Sequence, residues 1–280
     1  MIKVTDLSTY LYCPRKLYLE YTTPIFPPPR DVMIIGSIKH NVIDTINRIE
    51  QNIITSITKD TKTTDITGNY LKNYKEILRS TIEKRQKQIQ AFNINETQLF
   101  SSTWQYLLNE GQSRAHNVSE FISIKKIYGE KLWNEITPKI LTEQRIKSKN
   151  LKLKGIIDRI EIYPEKNIPI ELKTGTPPKQ GVWPGNRIQL TAYMLLTEEH
   201  FQKPVTEGYI SYIDHNEKIK IILNSFSIEN LIKIRDQIIQ MLESNKEPDT
   251  IDNKKKCIKC QFNKKCYNPK DLTALKSAYN

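Results

Sequence analysis

Four cysteines place the strongest constraint on how this 280-residue chain can fold. Cys13 stands alone near the N-terminus, in Tyr12-Cys13-Pro14-Arg15-Lys16, whereas Cys257, Cys260 and Cys266 crowd a lysine-rich stretch near the C-terminus. Cys257-x-x-Cys260 puts two sulfurs within reach of one ion or cluster, Cys266 adds a third, and Cys13 would complete a four-thiolate site. A fold that uses them together must bring both ends of the chain to one place.

The setting favours that use. The N-terminus, Met1-Ile2-Lys3-Val4-Thr5-Asp6, is polar, and no run approaches the roughly 18 consecutive apolar residues of a membrane span. The chain therefore reads as cytoplasmic, where cysteines serve as metal ligands or reactive thiols rather than disulfides. Its 43 Lys and Arg against 31 Asp and Glu leave a net charge of +12, which calls for a polyanionic partner, nucleic acid first. An anionic membrane fits less well, because no segment pairs a basic face with a bulky apolar one.

The pattern along the chain predicts a mixed sheet with helices packed on it. Residues 1–30 carry Cys13 and Tyr10, Tyr12, Tyr18 and Tyr21, and stop at Pro27-Pro28-Pro29. Ile35, Ile38, Val42, Ile46 and Ile49 follow helical spacing from Asp31 to about Gln51. Residues 52–66 are threonine-rich and read as a loop. A polar helix follows over about 69–90, with Leu71, Tyr74, Leu78 and Ile82 on one stripe, and helical pattern continues to Trp133, so 52–137 reads as a helical insertion. Strand patterns then occupy Lys139 to Lys147, Leu151 to Tyr163 and Ile168 to Lys173, with Pro164-Glu165-Lys166-Asn167 as a turn. A helix over 187–200, two strands around the turn His215-Asn216-Glu217, and an amphipathic helix over 228–242 lead to the cysteine cluster.

The chemistry lies in the middle strands. Glu171 and Lys173, two apart on a strand, project from one face. If Tyr163 faces Ile168 across a simple hairpin, Asp158 faces Lys173 and Ile160 faces Glu171, so Asp158, Glu171 and Lys173 share that face. Two carboxylates among apolar strands are costly unless a cation neutralises them, and hard oxygen ligands suit Mg²⁺ or Mn²⁺. Glu-x-Lys by itself is an ordinary solvated pair; Asp158 at the compatible position, and Thr174-Gly175 after the lysine, raise it above that. Gly36 and His40 share a helix face, where the glycine would let the helix approach the sheet and the histidine could offer a nitrogen ligand. Gln189 and Tyr193, also four apart, would contact substrate or steady the site. Lys147, Lys149, Lys152 and Lys154 offer a track for a phosphate backbone.

Gly36-x-x-x-His40, Gly155-Ile156-Ile157-Asp158, Glu171-Leu172-Lys173 and Gln189-x-x-x-Tyr193, in that order, resemble the RecB-like branch of the PD-(D/E)xK nucleases. With Tyr12-Cys13-Pro14-Arg15-Lys16 in front and three cysteines behind, the chain resembles the CRISPR-associated iron–sulfur exonucleases, the fourth of the Cas protein families. The resemblance covers residues 1–49 and about 139–270, and no motif covers 52–137. It implies an α/β, restriction-endonuclease-like mixed sheet flanked by helices, with a clasp segment at 1–30, a nuclease core at 31–51 and 138–245, and a cluster segment at 246–280. It implies that His40, Asp158, Glu171 and the carbonyl of Leu172 ligate Mg²⁺ or Mn²⁺, that Asp158, Glu171 and Lys173 are catalytic, and that Gln189 and Tyr193 belong to the motif beyond the active strand.

The resemblance also implies that Cys13, Cys257, Cys260 and Cys266 hold a [4Fe–4S] cluster, although Zn²⁺ takes the same four ligands. The expected activity is exonucleolytic cleavage of DNA, chiefly single-stranded, trimming it for CRISPR spacer acquisition beside the integrase complex. A catalytically silent assembly subunit, a zinc-ribbon adaptor and a stand-alone repair nuclease are the alternatives.

Overall fold

The computed structural model describes residues 1–23 and 29–267. Pro27 and Pro28 of the expected proline stop, and the last residues of the 246–280 segment, lie outside the described residues.

In chain order the strands are β1 (Ile2–Lys3), β2 (Lys139–Ser148), β3 (Leu153–Ile162), β4 (Asn167–Lys173), β5 (Glu207–Tyr212) and β6 (Glu217–Ile222). The N-terminal helices are α1 (Val4–Tyr12), α2 (Pro14–Thr22) and α3 (Asp31–Arg48). The middle of the chain forms α4 (Glu50–Thr55), α5 (Thr63–Lys84), α6 (Gln86–Ala91), α7 (Glu96–Lys125) and α8 (Gly129–Glu135). Beyond the central strands come α9 (Pro184–Phe201), α10 (Ser225–Ser244), α11 (Lys254–Ile258) and α12 (Asn263–Cys266). Among the described residues, no helix is long and apolar enough to cross a membrane.

The six strands form one mixed sheet flanked by helices. β2 runs antiparallel along one edge of β3. The other edge is shared: β1 pairs in parallel at Leu153 and Lys154, and β4 pairs antiparallel from Arg159 to Ile162. β4 joins β5 in parallel through the α9 crossover, and β6 closes the sheet antiparallel to β5. A strand as short as β1 leaves almost no periodic signal, and the sequence reading passed over it.

The β3–β4 hairpin is tighter than expected. Tyr163 N–H donates to the Lys166 carbonyl at 2.9 Å, leaving Pro164 and Glu165 as the turn, so Ile162 rather than Tyr163 starts the pairing, opposite Asn167. Pro164 sets its own φ and suits the first position of a tight turn. The register therefore slips by two residues from the expected one. Ile160 faces Pro169 instead of Glu171, and the register, continued, sets Asp158 opposite Glu171 instead of Lys173. A slip of two keeps every side chain on its face, so the shared carboxylate face survives the correction.

Two apolar layers cover the sheet. α1, α9 and α10 pack through Val4, Leu7, Ile188, Ala192, Leu231 and Ile238 onto Ile157 and Ile160 of β3. α3, α5 and α7 pack through Val42, Ile46, Tyr70, Tyr74 and Leu107 into one cluster with Ile168, Ile170 and Leu172 of β4. The helices of 52–137 thus share a core with the sheet. The threonine-rich stretch is a loop only over 56–62: α4 runs to Thr55 and α5 starts at Thr63, because Ile53, Ile54 and Ile66 supply buried anchors on either side of it. The buried stripe of α5 is Ile66, Tyr70, Tyr74, Leu78 and Ile82, with Leu71 only partly covered.

Candidate active site

β3 and β4 bring the carboxylates together. Asp158 Oδ2 accepts the Leu172 backbone N–H at 2.8 Å, and its Oδ1 lies 3.4 Å from His40 Nδ1 on α3. Glu171, 4% exposed, faces α9: its Oε1 accepts from Lys173 Nζ at 2.7 Å and from Gln189 Nε2 at 2.6 Å. Lys173 Nζ also donates to Gln189 Oε1 at 2.9 Å, and Gln189 Nε2 lies 3.3 Å from the Tyr193 hydroxyl. Gln189 and Tyr193 are both buried, so their position is beneath the reacting groups, steadying Glu171 and Lys173. Leu172 meets the site through its amide N–H, which fixes the Asp158 carboxylate.

Glu143 completes the group, and sequence reasoning missed it. His40, Glu143 and Asp158 each offer a ligand atom, all within 4.8 Å of one another. The β2–β3 register, continued between its Thr142–Arg159 and Gln144–Ile157 pairs, puts Glu143 directly across from Asp158. Extending the sequence-predicted strands around the 148–152 turn would have exposed that pairing. Glu143 adopts φ 49° inside a strand, an uncommon conformation for a residue with a Cβ. At this point the alternation of β3 slips, because Ile157 and Ile160, an odd number apart, enter the same core cluster. The irregularity turns the two acids toward His40.

The electrostatics record a missing positive charge. Burial, and then the Asp158 charge, push the Glu171 carboxyl up to about 8 against the pull of Lys173. Burial and Asp158 likewise raise Glu143. Burial alone would lower His40, but the Asp158 hydrogen bond and the charges of Asp158, Glu171 and Glu143 outweigh it and raise its pKa. Glu171 Oε2 is buried without a hydrogen-bond partner. An orphaned carboxylate oxygen beside two more acids and an imidazole fits a hard divalent cation.

Close packing around the acids depends on Gly155 rather than Gly36. A Cβ at Gly155 would stand 2.6 Å from Tyr193 Cε1 and 3.0 Å from Val4 Cγ2. A Cβ at Gly36 would meet Thr174 Oγ1 at 3.5 Å, an ordinary contact, so helix approach does not require that glycine. The acids, Lys173, Gln189 and Tyr193 line a cavity of about 1850 Å³, counting its open mouth, together with Lys3, Arg145, Lys147 and Lys154.

At the far side of α1 the chain ends meet. Cys13, Cys257, Cys260 and Cys266 line one small pocket with Tyr12, Arg15 and Phe262. Tyr12 donates to the Lys256 carbonyl at 3.2 Å, Arg15 to the Pro248 carbonyl at 2.9 Å, and Tyr18 to the Asn245 carbonyl at 2.8 Å. All four cysteines are free thiols.

The sequence matches the PD-(D/E)XK nuclease superfamily over residues 3–267. Over 122 residues it is 33% identical to "CRISPR-associated exonuclease Cas4" of Francisella tularensis subsp. novicida, covering 43% of this chain and 59% of that protein. It is 22% identical over 284 residues to "DNA replication ATP-dependent helicase/nuclease dna2" of Schizosaccharomyces pombe, covering 95% of this chain and 18% of that one. It is 27% identical over 148 residues to "CRISPR-associated exonuclease Cas4/endonuclease Cas1 fusion" of Leptospira interrogans, covering 49% and 27%. The chain spans less than two thirds of the length of each of these relatives.

Proposed function

The chain belongs to the PD-(D/E)XK nuclease superfamily, and from that premise we propose that it is a divalent-metal-dependent DNA exonuclease acting chiefly on single strands. The observation that carries this reading is the unpartnered, buried Oε2 of Glu171. Three carboxylates, Glu143, Asp158 and Glu171, gather beside His40, and the one ammonium hydrogen-bonded to them is Lys173, which leaves negative charge for an Mg²⁺ or Mn²⁺ ion to offset. His40, Glu143, Asp158 and Glu171 would hold the ion. When bound, it supplies Lewis acidity toward the phosphodiester and favours ionisation of the attacking water.

The remaining steps belong to the side chains. Leu172 N–H locks Asp158 in place, and Gln189 grips Glu171 and Lys173 together, so that neither must reorganise during the reaction. The Lys173 ammonium neutralises charge that builds on the phosphate oxygens as the bond to the leaving oxygen breaks.

The four cysteines hold a [4Fe–4S] cluster in this reading. The cluster's role is to tie the two chain ends, so that its binding contributes to folding. The Cas4 and Cas4/Cas1 relatives support a role in trimming DNA for spacer acquisition beside an integrase; the match to the DNA-replication helicase/nuclease dna2 across 95% of the chain supports a nuclease that works apart from spacer acquisition as the second reading.

The test is incubation of 5′- and 3′-end-labelled single- and double-stranded DNA with Mg²⁺, Mn²⁺ or EDTA. Metal-dependent shortening from one end of the single strand is expected. DNA left intact in both metals would overturn the proposal.

A further inference from the structure

A row of like charges crosses the floor of the same cavity. Lys147 of β2 and Lys154 of β3 are directly paired, and Lys154 is paired in turn with Lys3 of β1. Arg145 lies two residues from Lys147 on the same face of β2, across from Ile156. All four basic residues and Ile156 line the cavity that holds Asp158, Glu171 and Lys173. Among the described residues, no hydrogen bond or ion pair engages the side chains of Arg145, Lys147 or Lys154, and directly opposed like charges disfavour strand pairing. Such an arrangement makes sense where an anion lies over it.

We propose that Lys3, Lys147 and Lys154, flanked by Arg145, form a rail for the sugar–phosphate backbone of one nucleic-acid strand. The proposal rests on the nuclease reading for where the strand is cut. Asp158 lies four positions along β3 from Lys154, about 13 Å at roughly 3.3 Å per residue, so the rail grips phosphates beyond the scissile one. Across three strands spaced about 4.8 Å apart, the row spans about 10 Å. That is wider than one phosphate ion and matches successive phosphates of a chain. Ile156, 37% exposed between Arg145 and the lysines, gives the strand an apolar surface for sugars and bases. Of the four lysines the sequence offered as a track, the fold directs only Lys147 and Lys154 into the cavity. Lys149 and Lys152 stand at the turn outside it, while Lys3 and Arg145 join from elsewhere.

The experiment measures binding of a fluorescein-labelled 15-nucleotide thymidine strand in EDTA, across a salt series, by the full chain and by Lys147→Gln/Lys154→Gln. Losing two contacts at about 0.7 per phosphate should flatten the log–log salt slope by about 1.4, and Lys147→Gln alone should flatten it by about 0.7. Because the substitutions relieve repulsion, the melting temperature should hold or rise. Wild-type binding should also survive 10 mM inorganic phosphate. An unchanged slope overturns the rail, as does full competition by 10 mM phosphate, which marks a site for a single anion. Failure of the nuclease reading would be seen separately, as uncut DNA with the wild-type protein in Mg²⁺ and Mn²⁺, and the slope would still decide the rail. With an active wild type, the double variant should also lose at least about tenfold in cleavage of the 15-mer at low DNA concentration.

Discussion

Gln189 Nε2 stands 2.6 Å from Glu171 Oε1, while the other oxygen of the same carboxylate, Oε2, is buried with no partner. One half of the carboxylate is held rigidly by the protein and the other is left for a cation. Gln189 also accepts from Lys173 at 2.9 Å, so one amide orients both a metal ligand and the catalytic ammonium. Gln189→Ala should lower Mn²⁺ affinity and cleavage by about 10- to 100-fold each with the fold intact. Calorimetric titration of Mn²⁺ and an end-labelled DNA assay check this. Unchanged values in both would mean that Glu171 and Lys173 need no such support.

Metal-free protein should lose stability as pH rises through the neutral range. The Glu171 carboxyl titrates near 8 in the folded chain, raised by burial and then by Asp158, against 4.5 for an unperturbed group. Unfolding therefore releases its proton between those values, and stability falls as pH climbs from about 4.5 to 8, by a few kcal/mol in total. In EDTA, Glu171→Gln should flatten that fall and melt higher than wild type at pH 8, while abolishing cleavage. Equal melting curves for the two proteins at pH 5 and pH 8 would show that the buried carboxylate carries no such strain.

The opposite dependence belongs to Glu110 on α7. Its Oε1 accepts from Arg114 Nε at 2.7 Å and from Arg159 Nη1 at 2.6 Å, and Arg114 reaches Glu50 at 2.8 Å. Burial would raise the Glu110 carboxyl, but the Arg159 and Arg114 charges overcome it and hold it far below the usual carboxylate range. That stability is present above about pH 4.5 and is lost as pH falls. Glu110→Gln removes the carboxylate that the two buried guanidiniums share, while Arg114 keeps Glu50 and Arg159 keeps Glu161, and should cost about 1–3 kcal/mol at pH 7. Denaturant unfolding at pH 7 and pH 4 checks both parts, since the variant's deficit should shrink at the lower pH.

Anaerobically purified protein should be brown, and Cys260→Ser should bleach it and lower its melting temperature. Iron and zinc content, with the visible spectrum, decide the metal. A colourless protein carrying one zinc, with the serine variant equally stable, would replace the cluster with a zinc site and no role in stability.

The part of this architecture written in local pattern was legible in the sequence. Alternation along 139–173 located three strands of the sheet, helical spacing located α3, α9 and α10, and strand parity set Asp158, Glu171 and Lys173 on one face, while the motif resemblance rather than spacing added His40 and Gln189. What escaped depended on pairing. The two-residue turn at Pro164 moved the register by two, and parity rather than exact register preserved the carboxylate face. Glu143 carries no motif; it becomes part of the group only because β2 sets it across from Asp158 and because its φ of 49° breaks the strand's regularity. β1 is two residues long and is held by pairing at Leu153 and Lys154, a contact no local pattern announces. The threonines of 52–66 suggested a loop by composition; it holds over 56–62, while burial of the isoleucines at 53, 54 and 66 draws its two ends into α4 and α5.

Lys173→Ala tests the central claim most directly, with Mn²⁺ binding and single-turnover cleavage of end-labelled single-stranded DNA measured side by side. Lys173 contacts Glu171 and Gln189 but is an ammonium and ligates no metal. The account predicts that the variant binds Mn²⁺ within a few-fold of wild type yet cleaves at least about 100-fold more slowly, the scale expected for one charge-stabilising group. A Lys173→Ala protein that binds Mn²⁺ and cleaves at the wild-type rate would contradict it.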